Sequence, residues 1–283
     1  MIKRSRVLIS ASSYAGGLIE KLAQDLRRKN FDVLTDGSGV EFGRSMAATI
    51  FSAVESSDYL VLLLQPGDSK YSWLREELNA ALDRQLHKRD VTVIPVVFGM
   101  ARVPSAIAHR TTFRIRPYAR DAREIDRLVA YIVDLERIDL DHLTWKAFER
   151  LLADLLHKLR FKEIQLSGYA SSGYDVKAVW RQRDPFGQTV DSNWIFEAKH
   201  YNQSRPDIAA LRQMAGVLSN LPPDYYGAVV TSSQLTLSAQ DWLKSYRESE
   251  RKPIRIIDGP KLRDLIARYP DLVSKHFGQE EHK

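Results

Sequence analysis

Apolar residues in the first hundred positions fall into short runs separated by helical periods. Arg6-Val7-Leu8-Ile9-Ser10 reads as a buried strand, after which Leu18, Leu22 and Leu26 recur at helical spacing. Phe31-Asp32-Val33-Leu34 is a second strand, closed by the turn signal Asp36-Gly37-Ser38-Gly39. Met46 to Ser56 predicts a helix, Tyr59 to Leu64 a fully apolar strand, Trp73 to Leu86 a helix, and Val91 to Val97 another strand. Strands alternating with helices predict a parallel sheet covered on both faces, with ligands at the carboxyl ends of its strands.

The pattern changes after Arg114-Ile115-Arg116-Pro117. Residues 121–136 predict a helix leading into a second unit. The expected division is residues 1–120, a helical linker at 121–138, and a second domain at 139–283. Thr144 to Leu159 predicts a long amphipathic helix, because Phe148, Leu151, Leu152, Leu155, Leu156 and Leu159 make one stripe. Strands Tyr174 to Arg181 and Asn193 to Tyr201 flank a polar segment, Arg183 to Gln188, that reads as a long hairpin loop. Helix 206–219, strand Gly227 to Thr231, helix 238–247, strand Ile254 to Ile257 and a final helix follow. Antiparallel pairing beside crossover helices makes this half mixed α/β.

With 283 residues, both halves can bury cores of their own. The net charge of +6 permits nucleic-acid contact without requiring it. The absence of cysteine excludes disulfides, thiol catalysis and cysteine-ligated zinc. The apolar run after the basic start, Val7-Leu8-Ile9, is too short for a signal peptide or a membrane span. The expected compartment is the cytoplasm, with no membrane partner.

Charged residues interrupt an apolar strand at one place in the second half, Phe196-Glu197-Ala198-Lys199-His200. If the two hairpin strands pair about the loop centre, Asp175 lies beside residues 197–199. Side chains alternate along a strand, so Glu197 and Lys199 share a face, and strands sit about 4.8 Å apart. Both carboxylates then reach one hard cation, and oxygen ligands favour Mg²⁺, or Mn²⁺ in its place. Two carboxylates and a lysine so arranged suit metal-dependent phosphodiester hydrolysis. Lys177, Arg181, Arg183, Arg205 and Arg212 are available to contact phosphates of a duplex. His200 falls on the face opposite Lys199, as a structural residue or a phosphate contact.

From about Leu143 to Leu265 these residues resemble the Mrr-like branch of the PD-(D/E)xK nuclease superfamily. The resemblance rests on Trp145-Lys146-Ala147-Phe148-Glu149-Arg150-Leu151-Leu152, Gly173-Tyr174-Asp175-Val176 and Phe196-Glu197-Ala198-Lys199-His200-Tyr201. Ala228-Val229-Val230-Thr231-Ser232 and Ile256-Ile257-Asp258-Gly259-Pro260-Lys261-Leu262 extend it. It implies a restriction-endonuclease-like mixed-sheet fold and DNA as substrate. Asp175 and Glu197 become metal ligands, Glu149 a third member of the metal shell, and Lys199 the residue that orients the attacking water. Many Mrr-like members carry Gln where this chain has Glu197; the acid is the more usual superfamily residue.

In the first half, Ser72-Trp73-Leu74-Arg75-Glu76-Glu77-Leu78 places Trp73 and Glu77 on one helix face. A carboxylate beside an aromatic ring can bind a ribose diol and stabilise an oxocarbenium-like transition state. Glu76 points about 100° away on a helix. Gly16-Gly17 follows the first strand, where a phosphate could approach backbone N–H groups or where a simple turn suffices. Across residues 5–117 the chain resembles a Toll/interleukin-1 receptor (TIR) domain of flavodoxin-like parallel-sheet fold. The matching pieces are Val7-Leu8-Ile9-Ser10-Ala11-Ser12-Ser13, Asp36 through Gly43, Ser56-Ser57-Asp58-Tyr59, Ser72-Trp73…Glu77-Leu78 and Val93-Ile94-Pro95-Val96. Some bacterial members cleave NAD⁺, which makes Glu77 the candidate catalytic residue and Trp73 a wall of the pocket; others only assemble.

The expectation is a metal-dependent DNA endonuclease controlled by a TIR domain, at least a homodimer. The resemblances imply a role in bacterial defence against phage or foreign DNA. Two alternatives stay open. In one, the TIR half hydrolyses NAD⁺ while the second half senses nucleic acid. In the other, both halves are binding modules of an oligomeric scaffold.

Overall fold

The computed structural model describes residues 4–11, 16–35, 57–66, 91–115, 122–167, 173–200, 208–249 and 252–278. The chain divides into two compact units, Met1–Val133 and Asp134–Lys283.

The first unit carries β1 (Arg6–Ala11), α1 (Gly16–Arg28), β2 (Asp32–Thr35), β3 (Tyr59–Leu64), β4 (Thr92–Phe98) and β5 (Phe113–Ile115). The strands form one sheet in the order β2-β1-β3-β4-β5, parallel at every pairing. This is the flavodoxin-like order, in which the chain starts near the middle and winds outward both ways. The central strand β3 is buried at all six residues, as its unbroken apolar run requires. On α1 the inward stripe is Ile19, Leu22, Ala23 and Leu26, each no more than 8% exposed. Leu18 is only half-buried, so Ile19 takes the inward place expected for it. Strand β5 was not expected as a strand. Only Phe113 and Ile115 face the core, too short a run to show a period. The helices expected at 46–56 and 73–86 lie outside the described residues, as do Trp73, Glu76 and Glu77.

Helix α2 (Ala122–Arg137) ends in the second unit, which continues with α3 (Trp145–Lys158), β6 (Lys162–Leu166), β7 (Val176–Arg183) and β8 (Thr189–Lys199). Then come α4 (Ile208–Ser219), β9 (Tyr225–Thr231), α5 (Leu237–Arg247), β10 (Ile254–Ile257), α6 (Gly259–Ile266) and α7 (Pro270–Phe277). Sheet order is β10-β9-β8-β7-β6, with β8, β9 and β10 parallel and β6, β7 and β8 antiparallel. The fold of the chain is thus α/β throughout: a parallel sheet first, a mixed sheet second.

Helix α3 starts where Thr144 caps it, its side chain accepting the Ala147 N–H at 3.2 Å. Its stripe of Phe148, Leu151, Leu152, Leu155 and Leu156 is at most 1% exposed. Each such side chain contributes roughly 1.5–3 kcal/mol relative to exposure, against about 1 kcal/mol for a cap. Packing against the sheet, more than local propensity, therefore holds this helix. On one face of the sheet Ile195, Val229 and Ile254 join Leu211, Met214 and Leu218 of α4 and Leu243 and Tyr246 of α5. The other face carries aromatic rings. Phe161 meets Trp180, Trp194 and Phe196 at 5.1, 6.0 and 5.5 Å, and Trp194 stacks on Tyr226 at 5.1 Å.

Three local expectations change. Strand β6, unforeseen from the sequence, is an edge strand whose residues are mostly exposed, so no apolar alternation marks it. The hairpin loop is tight where a long one was expected. Asp184 Oδ1 accepts the N–H groups of Phe186 and Gln188 at 2.9 and 2.8 Å, and Gly187 supplies φ +86°. The single final helix is two, because Pro270 opens α7 at a position where its missing N–H costs nothing.

Candidate metal and nucleic-acid site

Register brings the acidic pair together. Val176 pairs with Phe196, so Asp175, the residue before β7, sits opposite Glu197 near the end of β8. Its backbone N–H donates to the Phe196 carbonyl at 2.8 Å. Its Oδ2 accepts the Ala198 N–H at 2.6 Å, which fixes the carboxylate against the β8 backbone. Glu197 is 5% exposed and lies on the α4 face, paired laterally with the buried Val229 of β9. Lys199, two residues on and on the same face, places its Nζ 2.6 Å from Glu197 Oε1.

Both carboxyls are pushed above the ordinary carboxylate range. For Asp175 the cause is burial, opposed by the Ala198 N–H and the charge of Lys199. For Glu197 it is again burial, opposed by the Lys199 hydrogen bond and reinforced by the negative charge of Asp175. Two partly desolvated acids that repel each other, with one ammonium 2.6 Å from Glu197 to offset them, form a site that gains from a further cation. Residue types agree: two hard oxygen donors suit Mg²⁺ or Mn²⁺ and leave positions for water or substrate oxygens.

Other expected members separate from this pair. Glu149 is half-buried on α3. It does not join Asp175 and Glu197: among the described residues no three His, Cys, Asp or Glu side chains group to hold a metal. His200 serves the fold, its Nε2 donating to the Leu140 carbonyl at 2.8 Å and its ring 5.4 Å from that of Phe148. Arg181 is taken up by Asp191, at 2.8 Å from Nε and 2.7 Å from Nη2. Lys177 lies over the Tyr225 ring at 5.3 Å. Arg183 and Arg212 are exposed, and Arg205 lies outside the described residues.

One contact was not anticipated from the sequence. Gln213 on α4 reaches Glu197 Oε1 with its Nε2 at 3.5 Å, a long bond from an exposed side chain. The available signal was a glutamine immediately before the buried Met214, on the helix that follows the Glu-x-Lys strand.

Residues 140–266 match a family model described as restriction endonuclease, and residues 7–129 match one described as TIR domain. The chain is a TIR domain followed by an Mrr-type restriction-endonuclease domain. Among solved structures, the endonuclease MspJI in complex with a 27-mer oligonucleotide is 16% identical with a TM-score of 0.38, over 75% of this chain and 45% of that one. The DNA modification-dependent endonuclease AspBHI is 14% identical with a TM-score of 0.37, over 53% and 38%. The TIR domains of the activated Roq1 resistosome are 21% identical with a TM-score of 0.26, over 33% and 57%. The chain spans less than half the length of either endonuclease. No curated protein matches it. The acidic pair and Lys199 fall inside the endonuclease match. Glu77 and Trp73 fall inside the TIR match. Among the described residues no helix is long and apolar enough to cross a membrane.

Proposed function

We propose that the endonuclease domain hydrolyses DNA phosphodiester bonds with Mg²⁺ or Mn²⁺ held by Asp175 and Glu197. In this reading the TIR domain governs when it does so, in defence against phage or other foreign DNA. The observation that carries it is the opposition of the two carboxylates with Lys199 on the same face. The cation would supply charge neutralisation at a phosphoryl oxygen and ease deprotonation of water. The chain's own groups do the rest. Asp175 is held in place by the Ala198 N–H. Glu197 is kept from solvent by α4 and β9, and Gln213 borders it. Lys199 brings a positive charge to where negative charge develops on the phosphate.

Linkage gives a test independent of turnover. Raised carboxyl pKa values mean that the folded state binds these protons more tightly than the unfolded chain does. The pair therefore favours the fold in acid, and that contribution is lost as pH rises from the unfolded carboxylate value, about 4, through the raised folded values. A cation that binds only the ionised folded pair offsets the loss, by about 2.7 kcal/mol at a hundredfold excess over Kd. Mg²⁺ is accordingly expected to raise Tm by several degrees in mildly alkaline buffer and hardly at all near the unfolded carboxylate pKa. Glu197→Gln should abolish the shift. An equal Mg²⁺ shift in that variant, measured by calorimetry, would remove Glu197 from the site.

Function itself is decided by following plasmid cleavage and NAD⁺ loss in the wild type, Lys199→Ala and Glu77→Ala. Metal-dependent cleavage lost in Lys199→Ala is the expected result. The TIR match favours one second reading, NAD⁺ hydrolysis by Glu77 with Trp73 in the pocket. NAD⁺ consumption that disappears in Glu77→Ala, without DNA cleavage by the wild type in any metal, would transfer the output to the TIR domain.

A further inference from the structure

We propose that the open cleft between α4 and α5 of the second unit binds a nucleotide, its base against the Trp242–Tyr246 ring pair and its phosphate on Arg212. The proposal does not rest on the nuclease reading above.

The cleft follows from the residues that the two helices turn toward each other. At about 100° per residue, Arg212, Ala215, Gly216 and Ser219 share one stripe of α4, beside the inward stripe of Leu211, Met214 and Leu218. Ala215 and Gly216 put almost no side chain there, and a Cβ added to Gly216 would meet nothing within 4 Å. From α5, Trp242 and Tyr246 stand one turn apart with their rings stacked at 4.9 Å and 21°. The result is a cavity of about 640 Å³, lined by these α4 stripe residues and the two rings together with Leu218 and Lys252. Ligand sites generally measure about 300–1,000 Å³.

One wall of the cleft is held firmly. Tyr246 spends its hydroxyl on the Lys252 carbonyl at 3.1 Å. Lys252 Nζ donates to the carbonyls of Leu218 and Pro222 at 2.7 Å each, and to that of Leu221. All three of its donors are thus used. They offset the negative carbonyl end of α4, which would otherwise repel an anion. Arg212 differs. It lies about two turns back along α4 from that end, it is exposed, and it makes no ion pair among the described residues. No carboxylate lines the cleft among the described residues either.

These groups select a class of ligand. Tryptophan and tyrosine rings fixed by packing offer a flat apolar surface on which a base stacks. A guanidinium binds phosphate through paired N–H donors, and with no acid beside it the cleft favours an anion over a cation. A nucleotide carries both features in one molecule. An inorganic anion would leave the rings unused, and a purely apolar ligand would leave the guanidinium unused. Rings that only pack two helices together would bind no nucleotide at all. Arg212 also adjoins Gln213, which reaches Glu197 Oε1 at 3.5 Å, so α4 borders this cleft on one flank and the acidic pair on the other.

Isothermal titration calorimetry of the full-length protein with adenosine monophosphate, adenosine and inorganic phosphate tests the assignment, beside the variants Arg212→Gln and Gly216→Leu. The wild type should bind the monophosphate at least about tenfold more tightly than adenosine or phosphate alone. Arg212→Gln should weaken the monophosphate by about tenfold to a hundredfold, the usual effect of losing a charge-assisted hydrogen bond, and leave adenosine unchanged. Gly216→Leu fills the cleft from an exposed helix position, and should weaken both without lowering Tm. A single-stranded oligodeoxyadenylate offers the same two groups. Preference for the monophosphate identifies a free nucleotide as the source, and preference for the strand an unpaired nucleic-acid end. A folded wild type that binds none of these probes overturns the proposal. Monophosphate bound equally by the wild type and both variants is held elsewhere in the chain, and overturns it as well. Cleavage assays bear only on the nuclease reading, so the two fail separately.

Discussion

Lys199→Ala is expected to lower metal-dependent DNA cleavage by about 10²- to 10³-fold at saturating substrate, the usual effect of deleting one preorganised group that meets developing charge. The ammonium lies 2.6 Å from Glu197 Oε1 and its side chain is 24% exposed, so it can serve both the carboxylate and a phosphate. Its loss acts twice. The charge that would face the transition state disappears, and Glu197 loses the hydrogen bond that opposes its raised pKa. The cleavage profile of the variant should therefore also move to higher pH. Lys199 contributes its backbone to pairing with β9 and to the Ser232 bond, neither of which alanine removes. Single-turnover cleavage together with a thermal melt checks this, and full cleavage by a normally melting variant would show that another group does the chemistry.

Gly259→Ala should be the most damaging small substitution in the endonuclease domain. An added Cβ would lie 2.2 Å from the Ser232 carbonyl oxygen and 2.9 Å from its carbon, both backbone atoms that no rotamer change can move. Forced separation of this kind costs about 1–3 kcal/mol, and the upper end applies because two strand ends must part. At about 2–4 °C per kcal/mol for a chain of this size class, Tm falls by several degrees. Cleavage should fall too, since Ser232 is bonded to the Lys199 carbonyl. Gly216→Ala is the contrast: nothing lies within 4 Å of its added Cβ, and it sits inside α4. Alanine there should raise stability by up to about 1 kcal/mol through helix propensity. Equal melting of the two variants would discount the strand-end contact.

The sequence revealed what periodicity and spacing encode. Helix α3 was legible because five buried side chains repeat at helical spacing behind a threonine cap. The nearness of Asp175 to Glu197 was legible because a hairpin fixes register once its centre is known. Strand β6 was not, since an edge strand with one half-buried isoleucine leaves no alternation to read. The compactness of the hairpin turn depended on the Asp184 side chain folding back onto two N–H groups, a choice local composition allows but does not impose. The same holds for the site. Which residues share a face of β8 follows from parity. The approach of Gln213 and the withdrawal of Glu149 depend on how α4 and α3 dock, which no local pattern records.

The Glu197–Lys199 pair also bears on what happens when metal is scarce. A structural zinc domain unravels once its ion is removed, because the ligands then have no other reason to stay together. Here a strand register, a backbone N–H on Asp175 and a resident ammonium on Glu197 keep the acids in place by themselves. On the proposed reading, the domain can therefore be synthesised, stored and assembled before a cation arrives. Chelation would act as a reversible off-switch, with the apparatus intact beneath it.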